Sequence, residues 1–376
     1  MAHLPKSRST SSRKQRLGVV PLVWVFGLAL LAAACDSNPA DPRTGGLDSL
    51  TFDPRETCSL PLNQIVDSAA KDAIPALTNP PLVDADNVDY LNDDDRVLGI
   101  EIGAQAIAVP HNILWWHEIV NFDFAEAALA VTYCPLTGSG LVFDRSDAAG
   151  AAFGVSGLLF KNNLIMYDRA TNESLWPQMV RGARCGPSDG RMLFTYPVLD
   201  MTWQGWRALH PNTKVISSAT SYGRNYTENP YRTYDEPDNP LLLYDMPIDA
   251  RRAPKERVLG LPSAAGGLAF PFRALDADGP THAVLADDGQ PLVVFWDRAY
   301  QTAMAYRLPA EAAAQTFEAR DGAIFDLETG SQWRIDGRAI AGPLQGQRLQ
   351  PVRDAYVAFW FAWAAFQPET MLWTGT

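Results

Sequence analysis

Cys134 heads the stretch Cys134-Pro135-Leu136-Thr137-Gly138-Ser139, directly after the apolar run Leu129-Ala130-Val131-Thr132-Tyr133. A thiol at a strand end, entering a Gly/Ser turn, meets backbone N–H groups that stabilise a thiolate. The C-x-x-T spacing sets the Thr137 hydroxyl where C-x-x-C redox motifs carry a resolving thiol. His117, followed by Glu118, is the candidate base, because an imidazole beside a thiol lowers its pKa and takes its proton. The stretch Lys161-Asn162-Asn163 adds one cation and two amides, a set suited to a polar substrate or an oxyanion. Together these residues describe a single-thiol redox or nucleophilic site, that of a thiol-dependent oxidoreductase.

The same side chains carry a second reading. Cys134 with His117, His111 and His210 makes a nitrogen and sulfur ligand set for copper or zinc. No His-x-x-x-His or Cys-x-x-Cys spacing assembles it locally, so the fold would have to bring the four together. The alternative function is therefore a non-catalytic protein that binds a small ligand or a metal. Each residue also has a structural role open to it. A buried thiol packs as a small hydrophobe, a core histidine is held by hydrogen bonds, and a cation such as His210 suits a helix C-terminus. Neither G-x-G-x-x-G nor a Walker loop is present.

The elements that position these residues occur twice. Val97-Leu98-Gly99 to Ala108-Val109-Pro110 reads like Val258-Leu259-Gly260 to Ala269-Phe270-Pro271, offset by 161. Tyr167-Asp168 with Trp176 is echoed by Phe325-Asp326 with Trp333. Trp203, Trp206, Pro211 and Thr213 match Trp360, Trp363, Pro368 and Thr370, offset by 157. In this alignment His111 faces Phe272, Cys134 faces Trp296 and His210 faces Gln367. The polar groups are found in the first copy only, which points the search for chemistry there. Asp168 and Asp326, common to both, read as turn-formers.

Short β-branched and aromatic runs predict strands at Val97–Ile102, Ala106–Val109, Leu129–Tyr133, Gly140–Phe143, Leu164–Tyr167 and Met192–Phe194. Gly267–Phe270, Leu292–Trp296, Ala303–Tyr306 and Ala323–Phe325 repeat the order. Helices are expected over Trp203–Leu209, with Thr202 as N-cap, over Ala355–Phe366, and briefly near Ile65–Ala73. The fold class is mainly β (α+β): two related β-rich modules, each closing on one Trp-rich helix, paired as a pseudo-twofold duplication. Parallel βαβ winding would need a helix between most strands.

Lys6, Arg8, Arg13, Lys14 and Arg16 precede an apolar run from Leu17 to Ala34, and Ala32-Ala33-Ala34-Cys35 follows. That is a lipoprotein signal over residues 1–34, with Cys35 as the lipidated mature N-terminus. A polar, Pro/Gly-rich tether occupies 35–56. The lead-in and first module cover 57–220, a Tyr/Pro-rich linker 221–255, and the second, degenerate module 256–376. A lipid anchor to a bacterial membrane, facing the periplasm or exterior, is the expected location. Cleavage leaves 26 Lys+Arg against 43 Asp+Glu, a net charge of −17. So acidic a chain repels nucleic acid, which excludes that partner class. An unknown small molecule or redox partner remains. Cys58, Cys134 and Cys185 then stand in an oxidising compartment; Cys58–Cys185 is the expected disulfide and Cys134 the free thiol.

Asp94-Asp95-Arg96-Val97-Leu98-Gly99, Trp116-His117-Glu118-Ile119-Val120-Asn121, Thr132-Tyr133-Cys134-Pro135-Leu136, Phe153-Gly154-Val155-Ser156-Gly157-Leu158 and Ser174-Leu175-Trp176 follow one another in order. On these motifs the chain resembles the domain of unknown function 3179 family over roughly residues 60 to 220. The resemblance implies no defined activity. Relatives carry Cys-Pro-Leu-Cys where this chain has Thr137, so the resemblance does not imply an obligatory dithiol here.

Overall fold

Residues 50–53, 57–170, 173–285, 289–308, 316–320 and 322–375 are described by a computed structural model. The expected signal, Cys35 and the tether as far as residue 49 lie outside these residues.

Strands of the first half are β1 (Ile65–Asp67), β2 (Leu77–Thr78), β3 (Leu82–Asp84), β4 (Arg96–Ile102) and β5 (Gln105–Pro110). Helix α1 (His111–His117) leads into β6 (Ile119–Asp123), β7 (Ala128–Cys134), β8 (Ser139–Asp144), β9 (Phe153–Phe160), β10 (Asn163–Asp168) and β11 (Leu175–Pro177). Then come β12 (Thr195–Tyr196), β13 (Leu199–Thr202), α2 (Trp203–Leu209) and β14 (Lys214–Ile216). The second half opens with β15 (Arg257–Leu261), β16 (Leu268–Pro271), α3 (Phe272–Asp278), β17 (Thr281–Leu285), β18 (Pro291–Asp297) and β19 (Thr302–Arg307). It closes with β20 (Phe317–Arg320), β21 (Ala323–Asp326), β22 (Gln332–Trp333), β23 (Ala339–Ala341), β24 (Gln350–Pro351), β25 (Tyr356–Phe359), α4 (Trp360–Phe366) and β26 (Met371–Leu372).

The first half builds three sheets, ordered β13-β4-β5-β14-β3, β12-β8-β7-β6-β2 and β1-β9-β10-β11. The second builds β25-β15-β16-β26, β24-β19-β18-β17 and β20-β21-β22-β23. Most neighbours are antiparallel, but β14 runs parallel to β5 and β26 parallel to β16. The fold is thus mainly β, with short helices.

Each half holds two helices where one was expected. Ile113-Leu114-Trp115-Trp116 is apolar without a break, so its helical period is invisible in the sequence. Pro110 and Pro271 (φ −67° and −66°) end their strands and stand as N-caps for α1 and α3; proline is tolerated at a helix start because its missing N–H has no helical partner there. Glu118, at φ 55° and ψ −32°, stops α1, and Gly279 stops α3. Thr202 caps α2, accepting from the Gly205 N–H at 3.3 Å. Three other expectations give way: Ile65–Asp67 is a strand, Tyr356–Phe359 is strand before α4 begins, and Met192–Phe194 holds only a bridge at Met192, the strand forming at Thr195–Tyr196.

The tryptophan of each closing helix lies over a strand glycine. A Cβ on Gly99 would come within 2.2 Å of the Trp206 ring, and one on Gly260 within 2.2 Å of Trp363. The indole N–H groups donate to Thr213 (2.8 Å) and Thr370 (2.9 Å). Asp168 and Asp326 do more than form turns, since each accepts from an indole, Trp176 at 2.7 Å and Trp333 at 2.9 Å. Two apolar clusters join the halves, one packing Leu141, Phe153 and Trp176 with Phe359 and Trp363, the other Val97 and Trp206 with Phe295 and Tyr306. Cys58 and Cys185 form a disulfide that ties the lead-in to the loop after β11.

Candidate functional site

Cys134 is the last residue of β7, free and fully buried. Its Sγ lies 3.7 Å from the Asn162 carbonyl. Burial, then the neighbouring Glu118, pushes the thiol up to about 11, against a smaller opposing effect of Thr137. A thiol in that state is protonated at neutral pH and is a poor nucleophile. Thr137 belongs to a closed polar knot. Asn163 Nδ2 donates to Thr137 (3.0 Å), Ser139 and Gln178, while Gln178 donates to Thr132. Every member is buried and has partners, which makes the knot a device for holding β7, β8 and β10 together.

His117 does not serve Cys134. Its Nδ1–H donates to the Pro75 carbonyl (2.7 Å), and its Nε2 accepts from the Tyr226 hydroxyl (2.7 Å). Burial holds the ring neutral, with its pKa lowered to about 4. Two linker tyrosines are tied into the fold: Tyr226 bonds His117 and Tyr234 donates to Leu136 O. Lys161 and Asn162 form the β9–β10 turn with φ of 52° and 61°. The Lys161 ammonium bonds Ala365 O at the end of α4, and Asn162 pairs through its amide with the backbone of Tyr244. These groups are spent on the fold and do not converge on a ligand.

The four residues of the metal set lie in separate networks, so that ligand set is not assembled. His210 meets Glu101 at 3.4 Å, with Asp336 nearby. Arg338 and Arg348 already pair with Glu101, and Arg334 with Asp336. Those guanidiniums supply the positive charge a cation would bring.

Glu118, read from the sequence only as the neighbour of His117, does not pair with it. It is nearly buried, its φ is positive, and its carboxyl takes no hydrogen bond or ion pair from the described residues. Burial raises its pKa to about 8.

A second buried polar group lies beside a cavity. A cavity of about 640 Å³ lies between the halves, lined by Asp95, Arg96 and His111 from the first and by Glu256, Arg257 and Phe272 from the second. Its size is that of a small-molecule site. Behind its floor Arg96 donates to Asp200 from Nε (2.9 Å), and the His111 Nε2 lies 3.4 Å from the same Oδ1. Both His111 Nε2 and Asp200 Oδ2 are buried without a hydrogen-bond partner. Burial alone would raise Asp200, but the Arg96 guanidinium outweighs it and holds the carboxyl well below its usual range. His111 is lowered by burial against the pull of Asp200, so the imidazole is neutral near pH 7. It stacks on Tyr133 with ring centroids 4.1 Å apart.

Register corrects one alignment made from sequence. Cys134 pairs with Ser139, and Asp297 with Thr302, at the ends of β7 and β18. That places Tyr133, and not Cys134, at the position of Trp296. The ring contacts agree, for Phe272 meets Trp296 at 4.8 Å as His111 meets Tyr133.

A family model described as Protein of unknown function (DUF3179) matches residues 71–370, so the likeness seen on residues 60 to 220 extends through the second half. No curated protein and no solved structure matches the chain.

Proposed function

Because the chain belongs to the DUF3179 family of proteins of unknown function, its function has to be argued from its own geometry, and we propose that it is a lipid-anchored extracytoplasmic protein that binds a small ligand in the cleft between two duplicated modules. The observation that carries this reading is the cavity lined from both halves, with the His111 imidazole, backed by Asp200, at its wall. Ligand sites are commonly concave, largely preformed and furnished with a few convergent polar groups.

The duplication itself is supported by strand order and by reciprocal contacts. Phe359 N donates to Thr137 O (2.8 Å), while Thr202 N donates to Tyr300 O (3.1 Å). Phe359 stands to the second half as Thr202 does to the first, and Tyr300 as Thr137. Such exchanged contacts are what a twofold relation produces. At that axis, Asp95 and Glu256, Arg96 and Arg257, and His111 and Phe272 all face the same cavity. The polar pair His111 and Asp200 occurs once, with Phe272 and Val357 at the matching places.

Anchoring rests on the lipobox ending at Cys35. Redox chemistry at Cys134 is the weaker reading, because the thiol is closed off and protonated. The cleft is tested by ligand-observed NMR with a library of small polar fragments. Hits on the native protein should be lost in His111→Phe, which installs the residue of the second half. Hits that ignore this substitution reject the cleft.

A further inference from the structure

The two cleft arginines occupy matching places but have different partners. Arg96 lies opposite Thr202 in the β4/β13 ladder, and Asp200 sits two residues before Thr202. Arg257 lies opposite Phe359 in the β15/β25 ladder, and Val357 sits two residues before Phe359. The carboxylate that neutralises Arg96 is therefore replaced by an apolar side chain beside Arg257. Among the described residues Arg257 donates one hydrogen bond, of 3.3 Å, to Asp235 on the linker, whose side chain is partly exposed. Arg96, by contrast, reaches Asp200 through Nε and Nη2 and Gln301 O through Nη1.

A guanidinium presents five N–H donors in a planar fork that matches a carboxylate. Arg257 lines the cavity with most of that fork unspent. The His111 imidazole lines the same cavity, with its Nε2 3.4 Å from Asp200 Oδ1. From this we infer that the cleft recognises a small organic monocarboxylate, whose carboxylate takes beside Arg257 the place that Asp200 takes beside Arg96. The inference rests on the cleft reading above. Trp115 and Phe272 on the lining suit an apolar or aromatic body. Asp94, Asp95, Glu256 and Asp276 on the same lining favour one negative charge over the two of a phosphate ester.

The test uses benzoate, benzamide and phenyl phosphate as probes, measured by titration calorimetry on the folded chain. Benzoate should bind at least tenfold tighter than benzamide, and Arg257→Met should remove that preference. Val357→Asp supplies the missing carboxylate from within, so it should abolish benzoate binding without lowering the melting temperature. If Val357→Asp destabilises the protein, Arg257 is not awaiting a carboxylate, and the inference fails whatever the Arg257→Met result. If benzamide binds as well as benzoate and both respond to His111→Phe, the cleft stands and the carboxylate inference falls. Phenyl phosphate binding tighter than benzoate overturns the choice of carboxylate. If no probe binds at millimolar concentration, the cleft reading and the inference fall together.

Discussion

At the scale of residues, side-chain type alone was a poor guide to role. Cys134, His117, Thr137, Lys161, Asn162 and Asn163 are all polar or nucleophilic, and the fold spends each of them on itself. The thiol meets a carbonyl and a buried carboxyl, conditions that favour the neutral form. In the native protein Cys134 should resist iodoacetamide at neutral pH for hours, and react within minutes once urea exposes it; rapid native labelling would restore the thiol reading. His111 was legible as a residue the second half lacks, but its partner was missed. Asp200 faces Val357 under the same offset of 157 that pairs Trp203 with Trp360, so one further step along the alignment reaches it. Glu118 carried no such signal, because neither burial nor a positive φ can be read from one glutamate in an apolar run.

At the scale of elements, the hairpin β4–β5, the strands β7 and β8 and the helix α2 were legible, because alternation, β-branched residues and the Thr202 cap are local. The helices α1 and α3 were not, since each spans only seven residues, too few to show a helical period. Neither was β25, which reads as the start of the helix that follows it. The closing helices are held by a device that does show in the sequence once the copies are aligned, a strand glycine beneath a tryptophan. Gly99→Ala and Gly260→Ala should each destabilise the chain by about 1–3 kcal/mol, since a methyl group has no room under either ring. Equilibrium unfolding in urea measures both, and a loss at one site with none at the other would separate the two halves as structural equivalents.

At the scale of the whole molecule, each half builds three sheets, and two apolar clusters bind the halves into one body. The proposed anchor would hold that body outside the membrane, where an acidic chain would discourage anionic partners of high charge. Cys35→Ser should release the protein from the membrane fraction into the soluble extracytoplasmic fraction, as followed by fractionation and by loss of metabolic palmitate label; retention on the membrane would reject lipid anchoring. A Cys58–Cys185 link was expected from the oxidising compartment and the odd cysteine, and a disulfide joins these two across 127 residues. The amino-acid sequence by itself determined the β-rich class, the internal echo and the family, because these rest on local pattern and on spacing along one chain. Only the tertiary structure decided where the open site lies. The thiol, amides and imidazoles that look reactive in sequence are quenched by neighbours far away in the chain. The cleft, in turn, is lined by Arg96 and Arg257, 161 positions apart, a neighbourhood that no local pattern records.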